Sequence, residues 1–186
     1  MKDNLNSPVR WLKYLLYVGI AAMANSLLGL FLPGKLSTWI GYAISAATIY
    51  LLFRLISDNV RYKTAALFGA GGLICRLLGL QALTLAASIC AIVAQYQEYN
   101  AHGGLIADRD PKLAGKWSSL FWLQFAVELI GGVLITMVVT VLAAAGGLDA
   151  TAMLAMATVA IAFISLILKV LYLVYLNRTV KLLEEE

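Results

Sequence analysis

Apolar runs of about twenty residues recur along this chain, and they limit its fold more than any other feature. A helix needs about that many apolar residues to cross a hydrocarbon core of roughly 30 Å. Backbone polar groups inside a bilayer must be bonded internally, so only helices and closed barrels cross it. A barrel would alternate apolar and polar residues in short segments, and no such alternation occurs here. With 62% hydrophobic and 13% charged residues over 186 positions, the chain lacks the polar surface of a soluble domain. The expected fold class is an all-α integral membrane protein. The expected architecture is a six-transmembrane-helix bundle of three antiparallel hairpins in one domain.

Turn signals place the helices at about 11–32, 36–56, 62–79, 81–102, 117–145 and 151–176, with a cytoplasmic loop at 103–116. Ser7-Pro8 opens the first helix, Pro33-Gly34-Lys35 turns into the second, and Gly103-Gly104 and Asp110-Pro111 break the chain in the long loop. The triplet Ala22-Met23-Ala24 imitates a signal-peptide cleavage site, but apolar sequence continues to Leu32, which favours a retained span. The third run, glycine-rich and carrying Arg76, is short enough to lie on the surface instead. Charge asymmetry arbitrates. If it spans, twelve of the 14 Lys and Arg residues fall on one side and only Lys35 and Arg76 on the other. That predicts six spans with both termini cytoplasmic in the plasma (inner) membrane.

The fourth helix carries a polar seam. Gln81, Thr84, Ser88, Ala91, Gln95, Glu98 and His102 fall on one arc of roughly 80°. The third helix has a facing seam of small residues, Ala65, Gly69 and Gly72, with Tyr62 and Arg76 at its ends. Small residues at such spacing let membrane helices approach closely. Packing against that seam explains the half from Gln81 to Ala91; the half from Gln95 to His102 asks for more.

Glu128 is the sharpest single residue, eleven positions into the fifth helix on a face with Gln124, Gly131 and Ile135. An ionisable group near mid-membrane is costly and normally faces the bundle interior, where it serves function or holds helices together. Lys169, on a seam with Thr151, Thr158, Ser165 and Tyr172, is its expected partner, or snorkels to the interface. Glu98 and His102 lie one turn apart, but a single histidine with no repeated ligand pair is a weak metal signal and favours a hydrogen-bonded interfacial role. Cys75 and Cys90 read as buried thiols. Most tyrosines, Tyr62 among them, and Trp11, Trp117 and Trp122 read as an inner interfacial belt.

No catalytic triad, HExxH or paired Cys-x-x-Cys is present, so an enzyme is disfavoured and no catalytic residue, metal or cofactor is implied. The +4 net charge sits in membrane-flanking positions and excludes nucleic acid as a partner. The outline is similar to substrate-binding components of vitamin importers in topology alone; the outer loops, Pro33–Lys35 and Gly146–Asp149, are too short for the capping loops those use. The functional expectation is a transporter, channel or binding subunit for a small molecule or ion. Its polar cavity lies between helices four, five and six and opens to the cytoplasm. Gln95, Glu98, His102, Gln124, Glu128, Lys169 and Tyr172 form the pathway. The alternative is a non-catalytic scaffold or accessory subunit of a membrane complex, which docks a protein through the loop around 101–116. Expected partners are the lipid bilayer, a small molecule or ion, and a membrane protein or second copy of the chain.

Overall fold

The computed structural model describes residues 8–29, 31, 33–129, 137–138, 140–141 and 150–185, and of 150–157 the backbone alone. Among the described residues there are six α-helices, one 3₁₀ turn and no strand. The helices are α1 (Pro8–Leu28), α2 (Gly34–Arg54), α3 (Arg61–Leu77), α4 (Thr84–Ile106), α5 (Pro111–Leu129) and α6 (Ala150–Glu184), with the 3₁₀ turn at Gln81–Leu83. Three of them contain stretches long and apolar enough to cross a bilayer: Pro8–Leu28, Gly34–Arg54 and Thr158–Glu184. The expected positions Gly131, Ile135 and 146–149, and the side chain of Thr151, lie outside the described residues.

Several boundaries differ from the sequence reading, each for a local reason. α1 stops at Leu28 rather than Leu32: the Phe31 amide turns back onto the Leu28 carbonyl at 2.9 Å, and Asn25 Nδ2 donates to the Ser37 carbonyl at 3.2 Å, tying the end of α1 to the start of α2. Gly79, at φ 65°, turns the chain after α3 in a conformation that suits glycine. Gln81 therefore belongs to the 3₁₀ turn, and α4 begins only at Thr84. Most of the expected 103–116 loop is helix. α4 continues through Gly103-Gly104 to Ile106, and α5 starts at Pro111 rather than 117. Asp110 caps α5 by accepting the Leu113 amide at 2.9 Å, and Pro111 fills the first helical position, where no amide is needed.

The two glycines break nothing because they are contact points. A Cβ on Gly103 would stand 3.1 Å from the Ala114 carbonyl oxygen, and one on Gly104 2.9 Å from Asn59 Nδ2. Their missing side chains let α4 press on the backbone of α5 and on the 57–60 turn, which is worth more here than their weak helix propensity costs. α6 runs to Glu184 rather than 176. Contacts outside the apolar run hold the extension: Arg109 Nη1 donates to the Leu182 carbonyl at 2.9 Å, and Lys13 pairs with Glu184. The first supplies a cation to the carbonyl end of a helix, where it is favoured.

Two compact units result: residues 1–118 with 173–186, and residues 119–172. In the first, α1 packs on α2, α2 on α3, and α3 runs back along α4, so that Tyr62 meets His102 at one end and Gly72 meets Ala87 and Cys90 towards the other. Its core gathers at one end. Leu12, Leu15, Leu52, Leu55, Ala65, Ile106, Leu113 and Leu176 are buried there. Trp11 flanks this end, with the Arg54 guanidinium 4.7 Å and the Arg10 guanidinium 5.8 Å from its ring. At the opposite helix ends large apolar side chains stand exposed, Trp39, Leu80 and Leu85 among them, a surface of the kind a bilayer covers. In the second unit the described parts of α5 and α6 carry Trp122, Leu123, Phe163 and Ile164 outward. Phe121, Trp122 and Phe125 form an aromatic cluster along α5, with ring centroids 5.3–6.1 Å apart.

Candidate functional site

The deepest polar group of the first unit is His102, fully buried in α4. Tyr62, also fully buried, brings its hydroxyl from α3 to 2.7 Å from Nδ1, and on the other side of the ring Glu98 Oε1 lies 3.5 Å from Nε2. A neutral phenol donates most readily to an unprotonated nitrogen. The tautomer that suits both neighbours thus carries its proton on Nε2, facing the carboxylate. The result is a line of three side chains, with a hydrogen bond between Tyr62 and His102 and a longer polar contact between His102 and Glu98.

Aromatic rings enclose the imidazole. The Trp117 ring centroid lies 4.7 Å from that of His102, and Tyr62, Tyr99 and Tyr175 complete a T-shaped chain at 5.5–5.9 Å. Trp117 is fully buried and anchors its indole N–H on Thr179 Oγ1 at 3.2 Å, and Thr179 is itself fully buried. Gln95, one turn before Tyr99, donates to its hydroxyl at 3.4 Å. Four helices therefore converge on this cluster, and the Gly103 contact that seats α5 against α4 brings Trp117 to the imidazole.

Glu98 also has a second side. It lines a cavity of about 310 Å³ among α1, α2, α3 and α4. Gly69 and Gly72 form one wall, Ser45 and Thr48 lie on the facing helix, and Arg76 stands at the far end from Glu98. Beside the cavity α2 and α4 close on α3 at its glycines: a Cβ on Gly69 would stand 3.2 Å from Ile49 Cγ1, and one on Gly72 3.3 Å from Cys90 Cβ. The Ser45 and Thr48 hydroxyls donate to the Gly41 and Ile44 carbonyls at 2.9 and 3.0 Å, so they offer lone pairs to whatever enters.

The expected pathway residues fall in both units. Gln95, Glu98 and His102 belong to the first unit, and Gln124, Glu128, Lys169 and Tyr172 to the second. Glu98 and His102 come together as their spacing implied. Gln124 Nε2 donates to Glu128 Oε1 at 3.2 Å, on an exposed part of α5. Lys169 and Tyr172 are half-buried on α6. Three corrections concern residues read as interfacial. His102 lies well inside α4 rather than at its cap, because the helix continues a full turn past it. Tyr62 and Trp117 are core residues rather than belt aromatics, because each has a buried polar partner for its hydroxyl or N–H. The signal for them was the position of Tyr62 at the head of the small-residue seam facing His102.

Among the described residues no cluster of three His, Cys, Asp or Glu side chains is arranged to hold a metal. Compared with known proteins, the chain matches no family model, no curated protein and no solved structure. The functional reading therefore rests on the geometry of the site itself.

Proposed function

We propose that this protein is a multi-pass membrane protein of six spans, both termini cytoplasmic, that binds a small molecule or ion as a transporter, channel or binding subunit. The supporting observation is the 310 Å³ cavity among α1–α4, which ends on a carboxylate backed by a fully buried histidine. A concave site with a few convergent polar groups on apolar walls is the usual form of a small-molecule site. The lysine and arginine asymmetry supports the orientation, and it puts the Glu98–His102 end on the cytoplasmic side.

On this reading the route differs from one between helices four, five and six: it follows the α3–α4 seam, with Glu98 at its inner end. Carboxylates and histidines within membrane spans mark ligand and ion pathways, and Glu98 stands between the cavity and the buried imidazole. The scaffold alternative has less to stand on. Its docking loop is largely helix, with His102, Ile106, Leu113 and Trp117 turned into the unit's own core.

The test is solvent access. With Cys75 and Cys90 replaced by alanine, Ser45→Cys and Thr48→Cys should react with a membrane-impermeant thiol reagent in vesicles of one orientation. The exposed, lipid-side Leu85→Cys should not react. If neither cavity cysteine labels from either face in a folded protein, the cavity does not connect to water and the proposal fails.

A further inference from the structure

The cavity carries opposite charges at its two ends, and this selects a ligand class. Arg76 and Ala65 both line it and are eleven residues apart on α3, about 16 Å along the axis, with Glu98 opposite the Ala65 end. The Arg76 Cβ tilts towards the N-terminus of α3, which is the Glu98 side, and its long stem can reach back along the wall, so a ligand has to bridge on the order of 10 Å. Between them the wall is apolar or offers only lone pairs: Ile49 and the glycines on one side, Ser45 and Thr48 on the other.

We propose that the cavity takes an elongated dipolar molecule, with a cationic amine against Glu98, an anionic oxyacid group against Arg76 and an unbranched apolar chain between them. The inference rests on the cavity being a binding site. A plain acyl chain fits the apolar wall, but its methyl end would strip water from Glu98 and return nothing, which is costly for a carboxylate. A small cation satisfies Glu98 and leaves the apolar stretch and Arg76 without use. Only a ligand charged at both ends answers both groups and the distance between them.

The probe is 8-aminooctanoate, compared with octanoate and octylamine by calorimetric titration of the full chain in nanodiscs, with empty discs subtracted. The double-headed probe should bind about tenfold more tightly than octanoate, as a largely enclosed charge partner implies, and about threefold more tightly than octylamine, because Arg76 is exposed and screened. Glu98→Gln should abolish the first advantage and keep the second; Arg76→Met should do the reverse. If the three probes bind alike, or if the variants do not separate the two advantages, the dipolar ligand is overturned while the cavity stands as a binding site. If no probe binds and the cavity cysteines also fail to label, the functional reading falls and this inference with it. If no probe binds although the cysteines label, only the ligand class is wrong.

Discussion

Glu98 with His102 and Gln124 with Glu128 are the same construction in sequence: a carboxylate and a polar partner one helical turn apart on an apolar helix. The fold treats them differently. The first pair sits where four helices meet, the imidazole fully buried and the carboxylate between it and a cavity. The second holds a 3.2 Å hydrogen bond along its own helix, at an exposed position of α5. Depth along a helix, which made Glu128 the sharper residue in sequence, is therefore a weaker guide than what packs around the helix. A polar pair gains neighbours to act on when other helices enclose it, as α3, α5 and α6 enclose His102.

That contrast can be broken most sharply at the aromatic wall. Trp117→Ala should cost about 3–5 kcal/mol, as deletion of a fully buried ring does. The exposed Trp122→Ala should cost only about 0.5–1.5 kcal/mol, the scale of its ring contacts with Phe121 and Phe125. Thermal unfolding in matched nanodiscs measures both, and equal losses would mean that the two regions of α5 are packed alike.

The glycine contacts come next. Gly103→Leu pushes against a backbone carbonyl that cannot move aside, so a loss of about 1–3 kcal/mol is expected. Gly115→Ala meets nothing within 4 Å and should stabilise α5 by about 0.5–1 kcal/mol. A neutral Gly103 variant would show that α4 and α5 are not held at the distance described.

The polar pairs themselves differ by less. Tyr62→Phe removes the group facing His102 Nδ1 inside the core and should cost about 1–2 kcal/mol. Nitrogen NMR should report a changed imidazole tautomer balance in that variant. Glu128→Gln keeps an acceptor for Gln124 and removes an ionisable group, so it should not destabilise the protein. A larger loss at Glu128 than at Tyr62 would invert the comparison.

The smallest effect expected is at Asp58, half-buried in the turn between α2 and α3. Burial raises its carboxyl above the ordinary range, and the Ser57 hydroxyl, 3.4 Å away, offsets part of this. The folded protein then holds this proton at pH values where the unfolded chain has lost it. Stability falls as pH rises from the ordinary carboxylate value through the raised one, and is constant beyond. Asp58→Asn should remove that slope from a stability profile between acid and neutral pH; an unchanged slope would place its origin elsewhere.

Much of the site was legible in part. The 3.6-residue period put Glu98 and His102 on one face of α4, and the small-residue spacing put Gly69 and Gly72 on the helix beside it. Both are properties of a single helix, so sequence carries them. Gly103-Gly104 shows the limit. Read locally the pair is a helix breaker, and only the Ala114 carbonyl and Asn59 amide pressing against it explain why the helix goes through. The same holds for Tyr62 and Trp117. An aromatic ring near a helix end looks interfacial until a second helix supplies the partner for its polar atom.

The sequence by itself determined that the chain is all-helical, that it has helices apolar enough for a membrane, and which residues share a helix face. Hydrophobic transfer and backbone hydrogen bonding act residue by residue, so composition and period suffice. Tertiary structure alone decided that the imidazole is enclosed by rings from other helices, that a cavity lies between Glu98 and Arg76, and that α4 and α6 extend beyond their apolar runs. Those outcomes depend on distances of a few ångströms between side chains far apart in the chain, which no local pattern encodes.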